Sequence, residues 1–294
     1  MIPLLKDNYF RHHGSGDNFS ITFDPITTPF GNYFEESKIA AEEVYALKTG
    51  NLHLMYSGGV DSEYVLNVFR HLGMDITPVI IRLTPGLNDF DVKYAFDYCT
   101  SNNLKPIVID IDFREFVESG THYAVSRIMK CNIYHRAATA WAMGQLDGSV
   151  LCGEGEGNVV YEADTKEWGF ILEEHDYGWY NYMEALGIDG TPHFNRFTPG
   201  MLAAWLSDPY FVSLTQGKED GHINSDTGKI RPYNRHTPFQ MLPRKKQHGY
   251  ELIKTIPDIM QHRNMRDMKH HCMQYNGHVS LEYNLFMKDF IVNV

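Results

Sequence analysis

The chain has 294 residues, of which 43% are hydrophobic and 21% charged, and its formal net charge is −11. This length accommodates one large α/β domain, or a nucleotide-binding domain with a smaller companion. No stretch approaches the roughly 20 apolar residues of a membrane span, and an acidic chain is repelled from phosphate backbones, so neither membrane insertion nor general nucleic-acid binding is expected.

The N-terminal segment, residues 1–33, is predicted to form an arm or a small hairpin. Lys6 and Asp7 stand where a signal peptide would be apolar, so a cytoplasmic location is expected. A short strand is predicted at Phe19–Phe23, because turn-forming residues follow it directly. The four cysteines form no CxxC pair, which fits reduced thiols.

The next segment, residues 34–158, is predicted to be a nucleotide-binding domain. Apolar strands alternate there with amphipathic helices, which is typical of a doubly wound parallel sheet with helices on both faces. The predicted strands are Leu52–Tyr56, Thr77–Leu83, Pro106–Ile111 and Ser149–Cys152. The predicted helices are Glu35–Leu47, Ser62–Leu72, Asp89–Ser101 and a broken helix over Thr121–Leu146. Ligands of such a sheet bind at the carboxyl ends of its strands.

The remaining segment, residues 159–294, is predicted to be a mostly helical substrate or lid region. A hairpin is expected from Val159–Tyr161 and Trp168–Leu172, and Thr198 is expected to cap a helix that begins at Pro199. Gln216–Tyr233 is polar and contains glycine, so it is predicted to be a mobile loop at the active site. Further helices are predicted at Gln247–Thr255 and Pro257–Met273.

The motif that carries the chemistry lies between the first predicted strand and the helix after it. It consists of Ser57, Gly58, Gly59, Val60, Asp61 and Ser62. Adjacent glycines let backbone N–H groups turn inward, and the helix N-terminus adds partial positive charge, so this turn is a predicted phosphate site. The serine hydroxyls add donors. Asp61 would repel a bare phosphate, and is therefore predicted to hold Mg²⁺.

This string resembles the PP-loop signature SGGxDS of the N-type ATP pyrophosphatases, which include asparagine synthetases, GMP and NAD synthetases, tRNA thiolases and PAPS reductases. The resemblance implies an adenine nucleotide alpha hydrolase-like (HUP-type) fold, with ATP and Mg²⁺ as cofactors. It also implies that the turn grips the leaving pyrophosphate while an acceptor attacks the α-phosphate. Adenine would bind the backbone at the end of the second strand, where Ile81 lies between Ile80 and Arg82.

A second glycine-rich string, Cys152–Asn158, follows the fourth predicted strand and is expected to face the PP-loop. It resembles the SGExxDE string of asparagine synthetase and β-lactam synthetase domains. The resemblance implies that Gly153 lies near the nucleotide and that Glu154 acts in catalysis. Gly157 replaces the metal-binding aspartate of that string, so either Glu156 takes over the metal or the chain belongs to a divergent branch.

A basic string, Arg244–Tyr250, resembles the RxKxGF stretch of asparagine-synthetase-like enzymes. The resemblance implies that Lys246 stabilises the charge that develops at the α-phosphate. A solvated basic turn is the alternative interpretation of so short a match.

The strongest overall resemblance is to the synthetase domain of asparagine synthetase-like enzymes, without their glutaminase domain. It implies adenylation of a small-molecule carboxylate or nucleoside, followed by amide or C–N bond formation. Nitrogen would come from free ammonia, a substrate amine or a separate ammonia-donating protein. The alternatives are sulfur transfer through Cys152 with a sulfur-donating protein, as in tRNA thiolation or PAPS reduction, and a non-catalytic adenine-nucleotide-binding module. The sequence leaves an oligomer open.

Overall fold

Alternating apolar and amphipathic segments fold as strands and helices in the computed structural model, which describes residues 8–162, 164–217, 226–244, 252–272, 277–292 and 294. The strands are β1 Phe10–His13, β2 Ser20–Phe23, β3 Leu52–Met55, β4 Thr77–Thr84, β5 Ile107–Asp112, β6 Ser149–Cys152, β7 Asn158–Glu162, β8 Glu167–Glu173, β9 Gly190–Thr191 and β10 His278–Glu282. The helices are α1 Tyr33–Leu47, α2 Val60–His71, α3 Asp89–Ser101, α4 Phe113–Glu118, α5 Thr121–Met129, α6 Tyr134–Met143, α7 Gly178–Leu186, α8 Pro199–Leu206, α9 Pro209–Gln216, α10 Asp226–Arg235, α11 Pro257–Gln261, α12 Arg263–His271 and α13 Tyr283–Phe290.

A five-stranded parallel sheet forms the centre of the fold, with the order β5-β4-β3-β6-β9. The chain runs outward from β3 through β4 to β5, and then returns to the other side of β3 with β6. The order of the strands therefore reverses at β3. In open parallel sheets the ligand crevice lies at such a reversal, outside the carboxyl ends of the strands. The residues that follow β3 and β6 are thus placed at the crevice.

Each face of the sheet is covered by helices, because successive residues of a strand point to opposite faces. Leu54 and Ile80 belong to a hydrophobic core shared with α1, α2 and α3. Met55 and Val79, their neighbours in sequence, belong to a second core shared with α5, α6 and α7. The predicted α/β fold with helices on both faces of a parallel sheet is confirmed.

Several predicted elements are confirmed, some with the predicted bounds and others with shifted ends. Ser149–Cys152 and Asp89–Ser101 have the predicted bounds, and the helix predicted over Thr121–Leu146 is broken into α5 and α6. Lys130 ends α5 with a φ of +56°, a left-handed conformation that cannot continue a helix. Thr198 caps α8 by accepting a hydrogen bond from Met201 N at 3.2 Å, as predicted.

Other predictions for the second half of the chain were wrong or incomplete. The loop predicted at Gln216–Tyr233 is wrong for residues 226–233, which lie in α10, while residues 218–225 lie outside the described residues. The single helix predicted at Pro257–Met273 is two helices, because His262 has an extended ψ of 143°. Of the helix predicted at Gln247–Thr255, only Leu252–Thr255 is described, and it forms a 3-10 turn.

Two antiparallel sheets accompany the parallel one. The N-terminal hairpin is confirmed, since β1 pairs with β2. The predicted hairpin after residue 158 is also confirmed as β7 and β8, and β10 joins it from near the end of the chain. β9 lies in the segment predicted to be mostly helical, yet it pairs with β6 and extends the parallel sheet. Within the described residues, each helix is too short or too polar to span a bilayer.

Candidate active site

The Ser57–Ser62 string connects the carboxyl end of β3 to the first turn of α2. Gly58 has a φ of +78°, and a Cβ at this position would lie 2.8 Å from Ala95 N of α3, so glycine is required both by conformation and by space. Gly59 is the N-cap residue of α2, and no side chain accepts a capping hydrogen bond there. Ser57 Oγ lies 3.4 Å from Ser62 Oγ. Together with Val60, the first residue of α2, these residues give the helix N-terminus and hydroxyl donors that a phosphate site needs.

The second glycine-rich string packs directly on this loop, as the sequence predicted. A Cβ on Gly153 would lie 2.6 Å from Ser62 Cα, so only glycine permits this approach. Asn195 fixes the string from the other side, because its Nδ2 donates to Gly153 O at 2.8 Å and its backbone N donates to Glu154 O at 3.2 Å. The two strings therefore form one wall of a single crevice.

The two predicted metal ligands, Asp61 and Glu156, meet at the ammonium group of Lys229. Lys229 Nζ lies 3.4 Å from Asp61 Oδ2 and also contacts Glu156 Oε1, and only 10% of the Lys229 side chain is exposed. Tyr233 OH donates to Asp61 Oδ1 at 2.8 Å. Both Lys229 and Tyr233 come from α10, the segment predicted to be a loop.

One ammonium group faces two carboxylates at this cluster. Burial and the neighbouring Asp61 carboxylate raise the pKa of Glu156, while Lys229 opposes that shift. Burial would lower the pKa of Lys229, but Asp61 and Glu156 outweigh it and raise that pKa. These two largely buried carboxylates carry the hard oxygen donors that Mg²⁺ prefers. The role of Asp61 and Glu156 as metal ligands stays a prediction.

Arg244 attaches the C-terminal part of the chain to the Ser57–Ser62 string and to α2. Its guanidinium donates to Gly58 O at 2.6 Å and to Glu63 Oε2 at 2.6 Å. Tyr56 OH donates to the same carboxylate oxygen at 3.1 Å. Arg244 thus orients the first turn of α2 and the strand that precedes it. Lys246, the predicted catalytic lysine of the same basic string, lies outside the described residues.

The predicted adenine-binding edge lies where β4 extends past the end of β3. Tyr56 N donates to Val79 O at 2.8 Å, and alternate residues of a strand direct their peptide groups to the same side. The peptide groups of Ile81 therefore face the crevice beyond the end of β3. Asn88 Nδ2 donates to Ile81 O at 2.9 Å, and both residues line the cavity. Ile81 lies within β4, three residues before its last residue, and its contact with adenine stays a prediction.

A cavity of about 760 Å³ connects these groups with a second set of charged residues. Glu154, 48% exposed, lies 3.6 Å from Arg136 of α6, and Arg136 Nη2 donates to Asp176 Oδ1 at 2.9 Å. Burial alone would raise the pKa of Asp176, but Arg136 and Arg196 outweigh it and lower that pKa. A volume of this size accommodates a nucleotide-sized ligand. Glu154 therefore faces a cavity shared by the Ser57–Ser62 string and this second set.

Cys152 lines the same cavity at the end of β6. Its side chain is buried, and burial, reinforced by Glu154, raises the pKa of its thiol well above the ordinary value. A thiol in such surroundings stays protonated at neutral pH, whereas nucleophilic cysteines need a thiolate. The geometry thus gives Cys152 the properties of a packing residue.

Sequence reasoning missed the charged residues that come from distant parts of the chain. Lys229 is separated from Asp61 by 168 positions, and Arg136 from Asp176 by 40. Neither Lys229 nor Arg136 belongs to a local sequence motif. The one available signal was α10 itself, where Lys229 and Tyr233 stand four residues apart and so share a helix face.

No protein-family model and no curated protein sequence matches this chain.

Proposed function

We propose that this protein binds Mg²⁺-ATP in a HUP-type nucleotide domain and adenylates an acceptor with release of pyrophosphate. The observation that carries the proposal is the contact between two motifs that are distant in sequence. The uncapped N-terminus of α2 and its glycine turn touch Gly153, and Asp61 and Glu156, one from each string, hold a common cation. This arrangement offers N–H donors for phosphate and carboxylates for a metal in one cavity.

Lys229 is a second candidate for the role predicted for Lys246, which is to stabilise the charge that develops at the α-phosphate. Its buried ammonium lies on Asp61 and Glu156, within the same cavity as the PP-loop. Asp61 and Glu156 would hold Mg²⁺, and the ammonium of Lys229 would then be available to a phosphate oxygen. A cation in a dry site stabilises negative charge that develops in a transition state far better than one in water. We assign Lys229 this role beside, or in place of, Lys246.

Amide or C–N bond formation is the second half of the proposed reaction. Glu154 lies in the cavity next to the backbone of Gly153, where it can accept a proton from an attacking amine. The acceptor is a small-molecule carboxylate or nucleoside, and the nitrogen comes from ammonia, a substrate amine or an ammonia-donating protein. Sulfur transfer has weaker support, because Cys152 is buried and its thiol holds its proton.

Product analysis tests the proposal. Purified protein is incubated with Mg²⁺-ATP, ammonia and a panel of carboxylate and nucleoside acceptors, and AMP, ADP and pyrophosphate are separated by chromatography. We expect AMP and pyrophosphate in equal amounts with one acceptor class, and their loss in Asp61→Asn. ADP and phosphate would contradict adenylation. ATP binding without turnover under any acceptor would favour the non-catalytic module, which the replacement at Gly157 motivates.

A further inference from the structure

One guanidinium in the cavity has a donor group that the proposed chemistry does not use. Arg136 lies in the first turn of α6 and lines the cavity, with 11% of its side chain exposed. Its Nη2 lies 2.9 Å from Asp176 Oδ1 and 3.6 Å from Glu154 Oε2. Its Nη1 is buried and has no hydrogen-bond partner among the described residues. Half of the guanidinium fork is therefore unsatisfied.

The position of this guanidinium is fixed by its neighbours. Its centre lies 4.9 Å from the centre of the Trp179 ring, and Trp179 Nε1 donates to Arg136 O at 3.0 Å. Asp176, which holds Nη2, also lies 3.9 Å from Arg196 Nη1. The face of the guanidinium lies against the Trp179 ring and Asp176 holds one of its edges. Such a side chain loses little conformational freedom when a ligand binds to the other edge.

A buried donor of a charged group that has no partner destabilises the free protein, and a ligand that satisfies it gains that free energy on binding. The planar fork of arginine matches carboxylate and phosphate oxygens, with two parallel N–H donors. Neither nearby carboxylate reaches Nη1. The missing partner is therefore an acceptor atom, and a carboxylate or phosphate oxygen matches the geometry of the guanidinium.

We infer that Arg136 binds an anionic group of the acceptor, a carboxylate or a phosphate, and so selects anionic acceptors over neutral ones. The inference rests on the proposed function only in identifying the ligand as the acceptor. Arg136 also lies beside Glu154, so an anion held by its guanidinium is placed next to the residue proposed to accept the proton.

Matched pairs of small molecules test this inference by calorimetric titration. Succinate is compared with succinamide, and glycerol 3-phosphate with glycerol, each with and without Mg²⁺-ATP. We expect at least one anion to bind about tenfold more tightly than its neutral analogue. We also expect Arg136→Lys to weaken that anion about tenfold, because lysine replaces the two-donor fork with a point charge. Arg114→Lys is the matched control, since Arg114 is exposed and pairs with Glu118 and Asp258 outside the cavity.

The outcomes separate the anion classes and the two proposals. Preference for succinate identifies a carboxylate site, and preference for glycerol 3-phosphate identifies a phosphate site. Neutral analogues that bind as tightly as both anions, or equal anion binding by Arg136→Lys and wild type, would overturn the inference. If Arg136→Lys does not fold, the anion and neutral comparison on wild-type protein still decides. Anion binding that depends on Arg136, in a protein that never forms AMP, would refute the proposed function alone.

Discussion

Replacing Lys229 with methionine removes the only described cation that contacts both Asp61 and Glu156. The variant keeps the length of the side chain but leaves two carboxylates facing each other in a largely buried position. Removing one partner of a buried ion pair costs about 3–5 kcal/mol. Because Asp61 and Glu156 keep 24% and 15% of their side chains exposed, we expect a loss at the low end, about 3 kcal/mol.

Urea unfolding with and without Mg²⁺ measures this effect. Mg²⁺ at ten times its dissociation constant for Lys229→Met should stabilise that variant by about 1.4 kcal/mol. The same Mg²⁺ concentration should stabilise wild type by less, because there the ion must displace the ammonium. Lys38→Met is the control, since Lys38 forms a partly exposed pair with Glu35, and it should change stability by less than about 0.5 kcal/mol. A loss below about 1 kcal/mol in Lys229→Met, or equal stabilisation of both proteins by Mg²⁺, would refute the proposed cation site.

Three further predictions follow from single positions. Gly153→Ala places a Cβ 2.6 Å from Ser62 Cα, so it should lower the free energy of unfolding by about 1–3 kcal/mol and weaken ATP binding. Gly217→Ala, whose Cβ would make only ordinary contacts, should have neither effect. Urea unfolding measures the stability and ATP titration measures the binding. Glu154→Gln should lower kcat by about 10²–10⁴-fold with unchanged ATP affinity in single-turnover assays, and a fully active variant would remove Glu154 from catalysis. Burial lowers the pKa of His122 from 6.5 to about 4. Below pH 6.5 the unfolded chain therefore takes up a proton that the fold excludes. As the pH falls from 6.5 to 4, the free energy of unfolding of wild type should fall by up to about 3 kcal/mol more than that of His122→Phe. Urea unfolding measures both proteins at both pH values, and an equal fall in the two proteins would contradict this.

The sequence predicted the parts of the site that are local. Ser57–Ser62 is a continuous strand-turn-helix string, so the conformation of Gly58 and the start of α2 follow from neighbouring residues. Gly153 and Glu154 were placed opposite this string because carboxyl ends of parallel strands share one edge of the sheet. The contact between Gly153 and Ser62 confirms that placement.

The parts that sequence reasoning missed depend on tertiary packing. Helix α10 contains Gly228 and Pro232, which both disfavour a helix interior, so the pattern there favoured a loop. The helix forms nevertheless, since Tyr233 is buried and packs on Tyr64 with ring centres 4.5 Å apart. Strand β9 has two residues and no periodicity to recognise. Its pairing with β6 is visible only in the fold.

The central claim is that an acceptor oxygen attacks the α-phosphate of ATP. The most direct measurement uses the acceptor found by product analysis, labelled with ¹⁸O at its reacting oxygen, and mass spectrometry of the AMP formed. Adenylation followed by attack of nitrogen transfers that oxygen to AMP, so we predict one ¹⁸O atom per AMP phosphate. AMP without the label, or label found in inorganic phosphate, would contradict the proposed reaction.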